Sequence, residues 1–310
     1  MTRLTFCAFT MLLIVSVTAC QRVETVALRP ANANLSSLPF TTNSDGLVIV
    51  PALLGGTMSL HVILDTGAGL DVFAPSLVDR LHGKPAGQFS AFRMTGERLN
   101  IPLFVIRELS IGPMVKKDVV VGTWDVLEKF HRDGVIDGII SVNNFRQQPF
   151  TLDFINRVVV FESPQSLIRR RALGESSPLQ LHDQRGIALD LFAHFLIGTH
   201  SGQCEIDTGS PRGTVSTRYT GPLGIKVDDK DVRRHDVSTS GAAAQTRLET
   251  TLPQISLAAS PQITLGHARV SFSDIIYDCV VGIDFWSGKV VTIDIARLQL
   301  IVAAGPPPTS

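Results

Sequence analysis

The sequence presents the same ordered set of short motifs twice, and this duplication limits the folds that the chain can adopt. An apolar, strand-like segment ends in Asp65-Thr66-Gly67 in the first half and in Asp207-Thr208-Gly209 in the second. Thr66 and Thr208 are 142 positions apart. Each half continues with a second strand pattern, an apolar element that contains a glycine (Gly138 or Gly282) and a closing strand that contains an aspartate. Four matches in one order at a nearly constant offset indicate a duplicated unit.

The composition favours a mainly β protein with a substantial core. Hydrophobic residues make up 44% of the 310 residues and aromatic residues only 6%. Val, Ile, Leu, Thr and Gly carry the apolar pattern, which favours many short strands over a helical bundle. Because the formal net charge is zero, no overall field attracts polyanions, and we expect no nucleic-acid partner.

The N-terminus has the pattern of an export signal. Arg3 precedes a 14-residue apolar stretch, residues 6–19, which is shorter than the ~20 residues that a spanning helix needs. The stretch ends in Val17-Thr18-Ala19-Cys20, which resembles the lipobox of bacterial lipoproteins. That resemblance makes residues 1–19 a signal peptide and Cys20 a lipid anchor. An ordinary secretory signal with an incidental cysteine is the alternative.

Both alternatives predict an exported protein. Gln21 occupies the position where an aspartate would resemble an inner-membrane retention signal, so the resemblance favours the periplasmic face of the outer membrane. Because Cys7 leaves with the signal and Cys20 carries lipid, only Cys204 and Cys279 remain in the folded part. In an oxidising compartment these two form either one disulfide or two buried thiols, and the sequence leaves both open.

The paired motifs resemble those of aspartic peptidases, of the retroviral-like type in a fused, pepsin-like arrangement. The resemblance covers about residues 45–303 and rests on the two Asp-Thr-Gly motifs, on the glycine elements and on their spacing. It implies a closed β-barrel, acid-protease fold with two lobes and pseudo-twofold symmetry. It also implies an aspartic endopeptidase that acts on peptides or proteins without metal or cofactor.

The resemblance assigns roles residue by residue. Asp65 and Asp207 form the catalytic dyad, which activates a water molecule between them. The residues implied as active-site support are Thr66 and Thr208, which link the two turns, Gly67 and Gly209 beside the carboxylates, and Gly138 and Gly282 behind the turns. Motifs of metallopeptidases, serine hydrolases and nucleotide enzymes do not occur in the sequence.

The residue after each Asp-Thr-Gly breaks the symmetry. Ser210 carries a hydroxyl that could donate to Asp207, whereas Ala68 offers no donor to Asp65. Since a donor to the charged form lowers a carboxyl pKa, we expect Asp207 to be the aspartate that is more often ionised. The family also covers its cleft with β-hairpin flaps, for which residues 88–102 and 236–251 are the candidates.

The duplication predicts the following organisation: signal peptide 1–19, tether 20–44, N-terminal lobe 45–163, linker 164–180, C-terminal lobe 181–303 and disordered tail 304–310. Because one chain carries both half-sites, we expect a monomer. A noncatalytic peptide-binding lipoprotein with the same fold is the alternative function, since a cleft can bind peptides without hydrolysing them.

Overall fold

The structure is a computed structural model that describes residues 37–237 and 245–305. The predicted signal peptide, Cys20 and most of the predicted tether lie outside these residues, as do the tip of the second candidate flap and residues 306–310. Within the described part of the chain, no helix combines the length and apolarity needed to cross a bilayer.

Strands dominate the described residues. The first half contains β1 (Ser37–Pro39), β2 (Thr41–Thr42), β3 (Val48–Leu54), β4 (Met58–Asp65), β5 (Val72–Phe73), β6 (Lys84–Phe92), β7 (Arg98–Ile111), β8 (Met114–Thr123), β9 (Gly138–Ser141), β10 (Phe150–Asp153) and β11 (Val158–Phe161). The second half contains β12 (Glu175–Pro178), β13 (Gln180–Gln184), β14 (Ala188–Ile197), β15 (His200–Ile206), β16 (Thr214–Ser216), β17 (Arg233–Val237), β18 (Gln245–Leu257), β19 (Ser260–Ser273), β20 (Cys279–Val281), β21 (Lys289–Asp294) and β22 (Gln299–Ala304). The helices are α1 (Pro75–Arg80), α2 (Asp125–Arg132), α3 (Pro164–Leu173) and α4 (Ile283–Trp286).

Two eight-stranded sheets have the same topology and form two related lobes. Lobe one has the strand order β2-β3-β4-β9-β5-β8-β7-β6, and lobe two has β13-β14-β15-β20-β16-β19-β18-β17. In each lobe the strand that leads to an Asp-Thr-Gly motif pairs in parallel with the strand of the glycine element. This mainly β, two-lobed arrangement with pseudo-twofold symmetry confirms the predicted fold class.

A third sheet joins the two lobes, and the closing strands of the two repeats lie at its centre. Its order is β1-β11-β10-β21-β22-β12. The central pair, β10 and β21, brings Thr151 and Thr292 together, and their hydroxyl oxygens are 2.7 Å apart. Since β10 belongs to the first repeat and β21 to the second, each closing strand is stabilised by the other repeat.

The observed boundaries differ from the predicted ones on both sides of lobe one. Strands β1 and β2 lie inside the predicted tether, because Leu38 and Phe40 bury their side chains in the core. The predicted linker contains α3 and β12, and two of its arginines contact buried carboxylates: Arg170 bonds Glu162 at 2.8 Å and Arg171 bonds Asp294 at 3.1 Å. At the C-terminus, β22 extends to residue 304.

The remaining cysteine pair lies directly beneath the second Asp-Thr-Gly motif. Cys204 on β15 is paired in register with Cys279 on β20, and the structure joins them by a disulfide. The corresponding pair in lobe one is Val62 with Gly138. The disulfide therefore adds a covalent link in lobe two to a strand pair that backbone hydrogen bonds and apolar packing hold in lobe one.

Candidate active site

Buried apolar strands hold the two Asp-Thr-Gly turns. The last four residues of β4 are buried, as are the last three of β15, so each strand carries its aspartate into the region between the lobes. Behind the second turn, the Asp207 amide donates to the Val281 carbonyl at 3.0 Å. Both aspartates are only 1% exposed. The scaffold thus places two carboxyl groups next to each other in a nearly dry environment.

The two threonines interlock the turns across the lobe boundary. The Thr66 amide donates to the Thr208 hydroxyl at 3.0 Å, and the Thr208 amide donates to the Thr66 hydroxyl at 3.0 Å. Each hydroxyl also donates to a carbonyl of the opposite strand, at Ile206 (2.7 Å) or at Leu64 (2.8 Å). Four buried hydrogen bonds therefore fix one turn against the other.

Gly67 and Gly209 allow the two aspartates to approach each other. Each glycine amide donates to the carboxylate of its own motif at 2.8 Å. A Cβ atom at Gly67 would lie 2.6 Å from Asp207 Cγ, and one at Gly209 would collide with the Asp65 carboxylate. Any larger residue at either position would therefore push the two carboxyl groups apart.

The two carboxyl groups lie within reach of a shared hydrogen bond, and their surroundings favour the proton on Asp207. Burial raises the pKa of both groups. The charges of Asp65 and Glu205 raise the pKa of Asp207 further, whereas the bond from Asp207 to Asp65 favours the charged form of Asp65. Among the described residues no other group donates to Asp207 Oδ2. These directions favour Asp65 as the carboxylate and Asp207 as the acid.

These pKa directions oppose the expectation, drawn from Ser210, that Asp207 is the aspartate more often ionised. The Ser210 hydroxyl donates to the Arg212 carbonyl at 3.1 Å and not to Asp207. The donor that was expected to lower the pKa of Asp207 is engaged in the following turn, while nearby negative charge acts in the opposite direction.

The structure also corrects the role implied for Gly138. In the parallel pairing of β4 with β9, Gly138 lies opposite Val62, three positions before the residue beside the catalytic turn. Ser141 is the residue opposite Asp65, and it corresponds to Gly282. Gly138 instead provides space for Phe73, whose ring would collide with a side chain there. The sequence concealed this shift because lobe one has serine where lobe two has glycine.

A buried carboxylate in lobe one anchors Ser141. Asp71 Oδ1 accepts from the Ser141 amide at 2.8 Å and from Asn144 Nδ2 at 2.6 Å. Burial raises the pKa of Asp71 to about 6, although both hydrogen bonds oppose that rise. Gly213 occupies the corresponding position of lobe two, so this network has no counterpart there. The Asp71/Gly213 difference is visible in the sequence but belongs to no motif.

Lobe two contributes further acidic residues that no motif predicted. The Leu189 amide donates to the Gly69 carbonyl at 2.9 Å, which brings the start of β14 beside the loop after Asp65. Asp190 is 7% exposed, and burial together with the charge of Asp65 raises its pKa to about 6. Glu205 is buried two positions before Asp207, on the same face of β15. The dyad therefore lies in an acidic environment.

In the described residues, no three or more His, Cys, Asp or Glu side chains are grouped so that they could hold a metal ion. The groups that the site offers to a ligand are the two carboxyls and their surrounding backbone.

Comparison with known proteins identifies the fold. No family model and no curated protein matches the sequence. Solved structures similar to the chain are basic 7S globulin from soybean (12% identity, TM-score 0.51, 86% of this chain and 94% of that chain), edgp (10%, 0.53, 87% and 95%) and conglutin gamma, a unique basic 7S globulin from lupine seeds (12%, 0.51, 88% and 95%). These structures have a pepsin-like aspartic-peptidase fold. The chain has this fold.

Replacing Thr208 by valine should lower the free energy of unfolding of the protein. The substitution removes the hydroxyl that accepts from Thr66 and donates to Leu64, and each buried group left unpaired costs about 1–3 kcal/mol. Urea unfolding should show that loss for Thr208→Val and a much smaller one for Thr208→Ser, which keeps the hydroxyl. Equal stability of the two variants would contradict the interlock.

Replacing Asp190 by asparagine should stabilise the protein at neutral pH but not at pH 4. The folded state binds the Asp190 proton up to about pH 6, whereas the unfolded state releases it near pH 4, so this group lowers stability as pH rises between these values. Relative to wild type, the free energy of unfolding of Asp190→Asn should rise by on the order of 2 kcal/mol between pH 4 and 7. Asp79→Asn, at an exposed carboxylate, is the control. A pH-independent difference would contradict this assignment.

Proposed function

We propose that this protein is an aspartic-type endopeptidase whose catalytic residues are Asp65 and Asp207. The observation that carries the proposal is the dyad itself: two buried carboxyl groups, one from each lobe, lie within reach of a shared hydrogen bond and are aligned by the threonine interlock. Like charges this close cannot both ionise easily, so the pair holds one proton and supplies a base and an acid together.

The difference between the two aspartates gives each of them a separate role in peptide hydrolysis. Asp65, as carboxylate, takes a proton from a water molecule, and the water oxygen bonds to the carbonyl carbon of the peptide. Asp207 donates its proton to the developing oxyanion, which gives a tetrahedral diol. The carbon–nitrogen bond then breaks as Asp65 gives its proton to the nitrogen and a diol hydroxyl gives one to Asp207, which restores the starting state of the dyad. The mechanism needs no covalent intermediate.

The proposed partner is a peptide or protein substrate in an extended conformation. Both half-sites come from one chain, so the proposed active form is a monomer. No nucleic-acid partner is proposed, because the chain has no net charge.

A noncatalytic peptide-binding protein is the second candidate, and the comparisons favour it. Two of the three similar structures are described as 7S globulins, and none of the three descriptions names a peptidase activity. A cleft between two such lobes can hold an extended peptide whether or not the dyad hydrolyses it. The two candidates therefore share a ligand and differ only in the chemistry at the dyad.

Peptide cleavage distinguishes the candidates. The chain without residues 1–20 should cleave members of a diverse peptide mixture between pH 3 and 7, as followed by mass spectrometry. Asp65→Asn and Asp207→Asn should each lose at least about 100-fold of the rate, because each removes one partner of the acid–base pair, whereas Asp79→Asn should retain it. Retention of peptides without cleavage at any pH would establish the binding protein instead.

We further propose that the protein is exported and anchored by lipid on Cys20 at the periplasmic face of the outer membrane. Support comes from the short apolar stretch and the small residues before Cys20. In a Gram-negative host the full chain should fractionate with outer membranes and carry a lipidated N-terminal cysteine by mass spectrometry. Cys20→Ser should be released as soluble protein. Equal fractionation of both forms would contradict the anchor.

A further inference from the structure

A cavity of about 430 Å³ lies where the end of β11 meets one side of α3, on the sheet that joins the two lobes. The helix residues that line it recur at the spacing of a single helix face. The lining combines apolar side chains (Val160, Phe161 and Leu173) with hydroxyl and guanidinium groups (Ser163, Ser166 and Arg169). The cavity therefore offers apolar surface and hydrogen-bond donors to one ligand.

The charges around the cavity favour an anionic ligand that also carries a hydroxyl. Glu162 lines the cavity, and its Oε1 accepts from Arg170 Nε at 2.8 Å and from the Thr151 hydroxyl at 2.6 Å. Glu162 Oε2 is buried and has no hydrogen-bond donor among the described residues. Arg169 is exposed, and in the described part of the chain no carboxylate pairs with it. One positive charge and one acceptor are thus left for a ligand.

The outward face of α3 exposes large apolar side chains beside the cavity. Ile168 is 63% exposed and Leu173 is 78% exposed, which is the highest value for a large apolar side chain in the described residues. Leu167, on the opposite face, is buried and holds the helix on the protein. Exposed apolar side chains next to a basic group are typical of helices that lie in the interface of a membrane.

The described chain begins next to this surface. Ser37, the first residue of β1, pairs with Val160 on β11, and α3 begins shortly afterwards at Pro164. No more than about 60 Å of extended chain separates Ser37 from Cys20. A lipid on Cys20 would therefore keep a bilayer within reach of α3.

We propose that α3 and its cavity dock on a bilayer that contains phosphatidylglycerol: the phosphodiester of one lipid pairs with Arg169, and a glycerol hydroxyl donates to Glu162 Oε2. Ile168 and Leu173 then enter the interface between headgroups and acyl chains. Phosphatidylglycerol supplies both the negative charge and the hydroxyl, whereas phosphatidylcholine has neither a net charge nor a hydroxyl. The docking is independent of the proposed peptidase activity and shares only the membrane with the proposed anchor on Cys20.

Vesicle flotation tests the docking in the chain without residues 1–20, which keeps every described residue and cannot carry the lipid. Vesicles of phosphatidylglycerol should bind it at least about 10-fold more tightly than vesicles of phosphatidylcholine at about 0.1 M salt. Arg169→Glu and Leu173→Ser should each weaken that binding at least about 5-fold. Their matched controls, Arg107→Glu and Val135→Ser, should bind as the unchanged chain does. All four side chains are exposed, so the midpoint of urea unfolding should stay the same.

Equal binding to both kinds of vesicle, or binding to neither, would overturn the proposal. An equal loss with Arg107→Glu would also overturn it, because attraction by overall charge would then explain the binding. Glycerophosphoglycerol, the same headgroup without acyl chains, should not displace the chain from vesicles at about 1 mM, since it lacks the apolar contact. Displacement would assign the cavity to a soluble phosphodiester and not to a membrane. Because the tested chain lacks Cys20, failure of the docking leaves the separate test of the lipid anchor intact.

Discussion

The interlock of Thr66 and Thr208 is the interaction on which the site depends. Each threonine uses its amide and its hydroxyl, so the two turns cannot separate or slide without breaking four buried hydrogen bonds. A catalytic pair held on flexible side chains would lose its alignment, because a displacement of about 1 Å can cost a large factor in rate. Here the alignment is set by backbone and by β-branched side chains with few rotamers.

Pseudo-twofold symmetry creates the pair, and departures from symmetry make its members different. Glu205 stands two positions before Asp207, where lobe one has Ile63. Burial and the charge of Asp65 raise the pKa of Asp207, and the charge of Glu205 adds to that rise. On the other side, the Asp71 network positions Ser141 beside Asp65. The same fold therefore gives one aspartate an acidic neighbour and the other a set of positioning hydrogen bonds.

Much of this arrangement could be predicted from the sequence, because a repeated set of motifs can be recognised within a single chain. Two motifs at a constant offset predicted the two lobes and the pairing of Asp65 with Asp207. The position of Gly138 could not be predicted, since its register with β4 depends on three-dimensional pairing and Ser141 replaces the expected glycine. Asp190 likewise has no motif, and it reaches the site only because β14 meets the other lobe.

The environment of the dyad bears on how the two candidate functions differ physically. Catalysis benefits from a site that excludes water, since a dry environment strengthens the electrostatic effect of the dyad, and both aspartates are buried. Binding of an extended chain does not require a shared proton, whereas acid–base catalysis does. The dyad and its four interlock bonds are therefore the support for the hydrolysis that we propose, whereas the similar structures support the binding protein.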